Sequence, residues 1–239
     1  MGNVALFVPC YVQSIRPSEE RFATRVLRAL DVEFETITDR CCGQPAFNSG
    51  FRDEAKKVGT SLLRTAREFE TVITLSGSCT STAREYLPTL FDGVRAANAK
   101  TIGERCTEFT EFVANAPGTR SLGLELEGTV AYHDPCHARR ELGTSKEALR
   151  ALSFVRGLDV RRLPNEDECC GFGGTFAAKF SEVSQEMGRA KLENVAKSGA
   201  RVIVSGDISC LSQIQSVADG EGVEAETWTV TELLAEALP

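Results

Sequence analysis

The chain has no basic excess. Its 239 residues carry 27 Lys and Arg against 34 Asp and Glu, a formal net charge of −7 at pH 7. Nucleic acid and anionic membrane surfaces both ask for a basic face, so neither is an expected partner. Long hydrophobic runs are missing as well: no apolar stretch approaches the ~20 residues of a transmembrane helix. The opening residues, MGNVALFVPC, show no basic leader and too short an apolar stretch for a signal sequence. A cytoplasmic protein is therefore expected. Histidine is scarce, with two residues, and no complete flavin or nicotinamide fingerprint is visible. Gly171-Phe172-Gly173-Gly174 resembles a phosphate loop only in part, and it directly follows a cysteine pair. The composition that remains, 42% hydrophobic and 26% charged, is that of an ordinary globular protein.

Cysteine, by contrast, is abundant. Eight of the nine cysteines fall into two copies of one pattern: a single Cys, a Cys-Cys-Gly, and another single Cys. The first copy is Cys10, Cys41-Cys42-Gly43 and Cys79; the second is Cys136, Cys169-Cys170-Gly171 and Cys210. The intervening lengths are 30 and 36 residues in the first copy, and 32 and 39 in the second. In a reducing compartment, repeated thiols point to metal binding or catalysis rather than to disulfides. Pairing of neighbours such as Cys41 and Cys42 would also close a strained ring. Soft sulfur ligands select thiolate-bound metals and iron–sulfur centres. Each copy supplies four thiolates, the number a [4Fe–4S] cluster commonly takes, so one or two such clusters are expected. Four thiolates also suffice for tetrahedral zinc, in one motif or both. Adjacent cysteines suit a polynuclear centre better than a single zinc. A thiol-based redox enzyme acting through the cysteine pairs is a third possibility.

The segments around the thiols repeat in order. Val4 to Val8, Glu33 to Thr38 and Thr71 to Leu75 read as strands, with helices over Ser18 to Leu30 and Arg52 to Phe69. Another helix is expected from about Thr80 to Pro88. The second half matches with strands at Thr129 to Tyr132, Val160 to Leu163 and Arg201 to Ser205, and a long helix over Thr175 to Ala196. Thr110-Glu111-Phe112-Val113 resembles Thr231-Glu232-Leu233-Leu234. The expected fold is α/β: two duplicated Rossmann-like halves with mostly parallel sheets, related by internal pseudo-symmetry. The domains are expected at residues 1–117 and 128–239, with a linker at 118–127. Nearly every cysteine follows a strand end, where open α/β sheets bind ligands, so the thiols of each half should converge on one crest per half.

Both histidines flank Cys136, in Tyr132 to Gly143 (YHDPCHARRELG). His133 and His137 can act as ligands, proton relays or donors to a cluster sulfur, and a backing role behind the thiolates is expected. Asp134 is expected to cap the helix that follows. Cys106, outside both copies, reads as a small buried apolar residue, and Trp228 as part of the core. Arg139 and Arg140 suit either an anionic partner or a solvated helix face.

The segments CCGQPAFNSG (Cys41 to Gly50), SGSC (Ser76 to Cys79), YHDPCHARRELG, CCGFGGTFAAKF (Cys169 to Phe180) and DISCL (Asp207 to Leu211) together resemble the CCG-domain iron–sulfur proteins. The likeness is greatest to the lactate-utilization protein A family of oxidoreductase subunits. The domain is shared with heterodisulfide reductase and with the iron–sulfur component of glycolate oxidase. The resemblance implies an electron-transfer subunit of a cytoplasmic complex that oxidises L-lactate, a small 2-hydroxy acid. Its implied partners are a ferredoxin-type iron–sulfur subunit and a C-type subunit. The implied cluster ligands are Cys10, Cys41, Cys42, Cys79, Cys136, Cys169, Cys170 and Cys210. One departure stands out: heterodisulfide-reductase-type motifs end in Cys-x-x-Cys, whereas Thr82 and Gln213 occupy those last positions here. Five-thiolate clusters, and disulfide reduction with them, are accordingly disfavoured.

Overall fold

The computed structural model describes residues 2–239. Val4–Phe7 (β1), buried at all four positions, opens the first half, because helices cover both faces of a parallel sheet. It continues with Cys10–Ile15 (α1), Ser18–Ala29 (α2), Glu35–Ile37 (β2), Gln44–Asn48 (α3), Arg52–Ala66 (α4) and Thr71–Thr74 (β3). Gly77–Ser81 (α5), Gly93–Gly103 (α6), Cys106–Glu108 (β4) and Phe109–Asn115 (α7) complete it. The second half runs through Glu125–Tyr132 (β5), Ser145–Leu152 (α8), Arg156–Arg162 (β6), Thr175–Lys179 (α9), Ser181–Ser198 (α10) and Val202–Ser205 (β7). Ile208–Glu221 (α11), Glu226–Thr229 (β8) and Val230–Glu236 (α12) close the chain.

Each half is a four-stranded, all-parallel sheet, in the orders β2-β1-β3-β4 and β6-β5-β7-β8. The α/β class and the two similar halves expected from the cysteine repeat are thus present. The similar segments Thr110 to Val113 and Thr231 to Leu234 begin α7 and α12, both capped from the strand just before. The Glu108 carboxylate accepts the N–H groups of Thr110 (2.8 Å) and Glu111 (3.1 Å), and Thr229 Oγ1 accepts that of Glu232 (2.9 Å).

Several elements differ from their sequence reading. β5 begins at Glu125, so the end of the 118–127 stretch is already strand. The long helix expected from Thr175 is two helices, broken where Phe180 leaves helical geometry at φ −129°, ψ 53°. Neither Gly nor Pro marks that break. α5 starts at Gly77 rather than near Thr80, because Ser76 Oγ accepts the Cys79 N–H at 3.2 Å and starts the helix early. Cys79 therefore lies in a first helical turn, and the chain continues as a π-turn over Thr82–Tyr86.

The halves share one core. Leu6, Leu27, Ile73, Phe109 and Val113 of the first half pack in the same buried cluster as Val130, Tyr132, Leu152, Val204 and Leu233 of the second. α2 lies on α12, and α8 on α7. Arg16 adds a polar tie, reaching Glu232 at 3.2 Å and the Thr227 carbonyl at 2.9 Å. Among the described residues, no helix is long and apolar enough to cross a membrane.

Candidate metal centre

The turns after β1, β3, β5 and β7 point toward the same gap between the sheets. The four single cysteines lie at or near helix starts there: Cys10 at the first residue of α1, Cys79 in α5, Cys210 in α11, and Cys136 opening a helical turn that becomes a π-turn over Ala138–Leu142. The Cys-Cys-Gly loops arrive from β2 and β6. In each, the glycine stands at positive φ, +86° for Gly43 and +89° for Gly171. Its N–H donates to the sulfur two residues back, Cys41 or Cys169, at 3.4 Å in both halves.

The eight thiols of the repeat all line one cavity of about 380 Å³. Each half gathers its four thiols at one crest, and the two crests face each other, because the halves pack with their strand ends toward a common gap. The remaining walls include Tyr11, Gln44, His137, Asp207 and Phe172. Within the first half, the Cys42 thiol donates to Cys79 Sγ at 3.3 Å. The two sets polarise alike. Cys41 is held well below the ordinary thiol range by hydrogen bonds from Cys10 and Cys42, against the effect of burial. Cys169 is lowered in the same way by Cys136 and Cys170. Cys10 and Cys136, which donate those bonds, are raised. A set of thiols in mutual contact, with one already disposed to ionise and backbone donors at hand, suits a soft metal or cluster.

His133 is buried, and neither ring nitrogen has a hydrogen-bond partner. It forms a group with Cys170 and Cys210 whose ligand atoms all lie within 4.8 Å of one another. Burial, then the charge of Lys191, lowers its pKa to about 3, so the imidazole is neutral at pH 7. An orphaned buried imidazole beside two thiols is the strongest local sign that a further group belongs at this site. His137 behaves differently. Its Nδ1 lies 2.7 Å from Glu141 Oε2, and its Nε2 lies 3.2 Å from Gln44 Nε2 of the first half. Burial works to lower its pKa, but the hydrogen bond and charge of Glu141 outweigh it, and the value is raised. Glu141 also accepts from Ser81 and Tyr86, so this carboxylate joins the two halves at the cavity wall.

Other expected residues fall away from the chemistry. Asp134 does not cap a helix; its Oδ1 accepts from Ser145 Oγ at 3.0 Å. Cys106 sits in β4 within the core, and burial pushes its thiol up to about 12. Arg140 donates to the Asp167 carbonyl at 2.9 Å, and Arg139 lies 3.6 Å from Glu166, so both steady the loop before Cys169. Thr82 and Gln213 are committed internally: Thr82 Oγ1 donates to the Ser78 carbonyl at 2.8 Å, and Gln213 Nε2 to Ser184 Oγ at 2.9 Å.

Two residues were not legible in the sequence. Asp207 is buried; its Oδ1 accepts from Ser209 N at 3.0 Å and its Oδ2 from Ser78 N, across the halves, at 3.3 Å. Tyr11 donates to Ser76 Oγ at 2.8 Å and lies 3.4 Å from Asp207 Oδ1. Their only sequence signal was position: Tyr11 follows Cys10 as His137 follows Cys136, and Asp207 matches Ser76, each three residues before its cysteine.

The family model for the cysteine-rich domain, CCG, matches the chain twice, over residues 4–84 and 130–215. The chain belongs to this cysteine-rich domain family. Within it, the chain is similar to lactate utilization protein A of Bacillus subtilis (strain 168), at 38% identity over 89% of this chain and 90% of that one. The lactate utilization protein A of Bacillus velezensis is 36% identical over 97% and 98%, and that of Macrococcus caseolyticus 36% over 97% and 96%. Among solved structures, a putative Asp/Glu racemase from Yersinia pestis aligns over 98% of this chain and 96% of that one, at 12% identity and a TM-score of 0.39. The two matched segments each begin within the first strand of a half and together carry all eight thiols that line the cavity, so the family resemblance and the site coincide.

Proposed function

We propose that this cysteine-rich domain protein is the iron–sulfur electron-transfer subunit of a cytoplasmic system that oxidises L-lactate or a related 2-hydroxy acid. The observation that carries the reading is the convergence of eight thiols on one cavity, in two sets of four. Cys10, Cys41, Cys42 and Cys79 would hold one centre, and Cys136, Cys169, Cys170 and Cys210 a second. A [4Fe–4S] cluster bound there would supply single-electron uptake and release. The chain itself contributes thiolates, helix starts and the Gly43 and Gly171 N–H groups, which set how readily charge is accepted. The lactate link is supported by the similarity to lactate utilization protein A over nearly the full length of both chains.

The lining also bears on where the 2-hydroxy acid reacts. Among the described residues it contains no Arg or Lys, and it does contain the Asp207 carboxylate. Its imidazole, His137, is already engaged by Glu141, which leaves no free cation among these residues to hold a substrate carboxylate. Oxidation of the acid accordingly belongs to a partner, with a ferredoxin-type subunit and a C-type subunit as the expected companions, and electrons arrive here one at a time.

A second reading has its own observation. His133, Cys170 and Cys210 stand close enough to share one ion, which suits zinc in the second half. Anaerobic purification with counts of iron, acid-labile sulfide and zinc separates the two. Iron with matching sulfide is expected, four irons for one cluster and eight for two, whereas zinc alone would sink the electron-transfer reading. Cys42→Ser and Cys170→Ser should each lower the iron content and slow growth on lactate; full iron and normal growth in both would refute the ligand assignment.

A further inference from the structure

The two halves repeat their thiols but not what stands behind them. Phe7 and His133 each lie three residues before the first cysteine of their half. Leu62 and Lys191 each lie three residues beyond a glycine, Gly59 in α4 or Gly188 in α10. Those glycines occupy equivalent close contacts: an added Cβ would meet Leu87 at 2.2 Å in one case and Val217 at 2.6 Å in the other. The pairs Phe7 and His133, and Leu62 and Lys191, are therefore counterparts.

In the first half, Phe7 and Leu62 are buried in the same apolar cluster as Cys42 and Cys79. In the second half the same two places hold an imidazole and an ammonium, 1% and 0% exposed. The imidazole has no partner and faces Cys170 and Cys210. Lys191 makes one hydrogen bond, to the Asn165 carbonyl at 3.3 Å; burial lowers its pKa, against the charges of Glu168, itself held by Asn194 at 3.0 Å, and of Cys170 and Cys169, which favour the ammonium. Burying an unpartnered polar group costs free energy, and burying a charged group costs more. The first half shows that an apolar pair packs well in these positions. The cost makes physical sense where negative charge gathers on the neighbouring sulfurs.

We infer that the second thiol set, Cys136, Cys169, Cys170 and Cys210, holds the more readily reduced centre, with His133 and Lys191 as positioning residues that stabilise its added negative charge. The inference rests on the electron-transfer reading above. Reduction adds one electron from an external one-electron donor, dithionite in the test, and neither forms nor breaks a bond. An N–H donor and a buried cation beside cluster sulfur raise its potential. Both sets have the glycine N–H, but in the places of His133 and Lys191 the first set has only Phe7 and Leu62. Electrons entering the protein therefore come to rest in the second half.

The test is a dithionite titration of the full-length, anaerobically purified protein, followed by electron paramagnetic resonance, with iron and sulfide counted in each sample. Lys191→Leu and His133→Phe each install the residue that the first half already packs beside its thiols. Each should keep its iron and lower the highest midpoint potential by roughly ten-fold in the reduction equilibrium, about 59 mV for one electron. Any second signal should stay in place. Lys191→Arg should restore the potential lost in Lys191→Leu, and Leu62→Met should leave every potential unmoved. Full iron with unmoved potentials in both second-half variants overturns the inference alone. A wild-type protein without iron overturns the electron-transfer reading and takes the inference with it. If His133→Phe loses iron, the Lys191→Leu potentials decide.

Discussion

Gly171 and Gly174 stand in one loop and both at positive φ, yet the structure asks different things of them. A Cβ on Gly171 would come within 2.5 Å of the Ser184 carbonyl oxygen at φ +89°, whereas one on Gly174, at φ +62°, would meet nothing within 4 Å. Gly171→Ala therefore combines backbone strain with a clash against α10 and displaces the N–H that points at Cys169. It should destabilise the protein by roughly 2–4 kcal/mol and reduce iron retention. Gly174→Ala meets no neighbour and should cost only backbone strain, about 1–3 kcal/mol, because φ +62°, ψ −107° is a conformation that suits glycine alone, with iron kept. Denaturant midpoints and iron counts on the two variants check this, and equal losses would mean that the contact with Ser184 does not matter. The role of Gly171 was partly legible, because a glycine next to a cysteine pair implies close approach. Which atom it approaches depends on α10, thirteen residues further along.

At the scale of elements, the loop carrying Cys169 and Cys170 is pinned by a chain of hydrogen bonds. Gln213 Nε2 of α11 donates to Ser184 Oγ of α10 at 2.9 Å, and Ser184 Oγ donates to the Gly171 carbonyl at 2.8 Å. The residue that departs from the Cys-x-x-Cys ending thus supports the loop instead of facing the cavity. Gln213→Ala and Ser184→Ala should each cost about 1 kcal/mol. The double variant should cost less than the sum, because the two share one chain. Strict additivity in a double-mutant cycle would refute the linkage. Strand positions were the most legible elements, since four-residue apolar runs such as Val4–Phe7 must be buried on both faces. Helix starts were less so. The break at Phe180 and the early start of α5 come from local backbone geometry and one serine hydroxyl, neither of which leaves a periodic trace.

At the scale of the molecule, the duplication was visible in the spacing of the thiols, but the meeting of both sets in one cavity was not. That depends on how the halves pack, and part of this packing is polar and buried. Glu19 of α2 accepts two contacts from Thr229 Oγ1 of the second half, at 2.9 and 3.0 Å, deep in the interface. Burial first, then the nearby charge of Glu232, raises its pKa to about 7, against the hydrogen bond from Thr229 and the charge of Arg16. The folded state therefore binds a proton that the unfolded chain releases near its ordinary value of about 4.5. Stability from this group is fully present below that value and falls as pH rises from there through 7, by about 3 kcal/mol in total. Glu19→Gln keeps an acceptor for Thr229 and removes the titration. The variant should gain on the wild type steadily between pH 4.5 and 7, and the gain should level off above. Comparing the two chains by denaturant unfolding across this window cancels any contribution from the thiols, which both share. Parallel stability curves would show that Glu19 does not titrate in the interface.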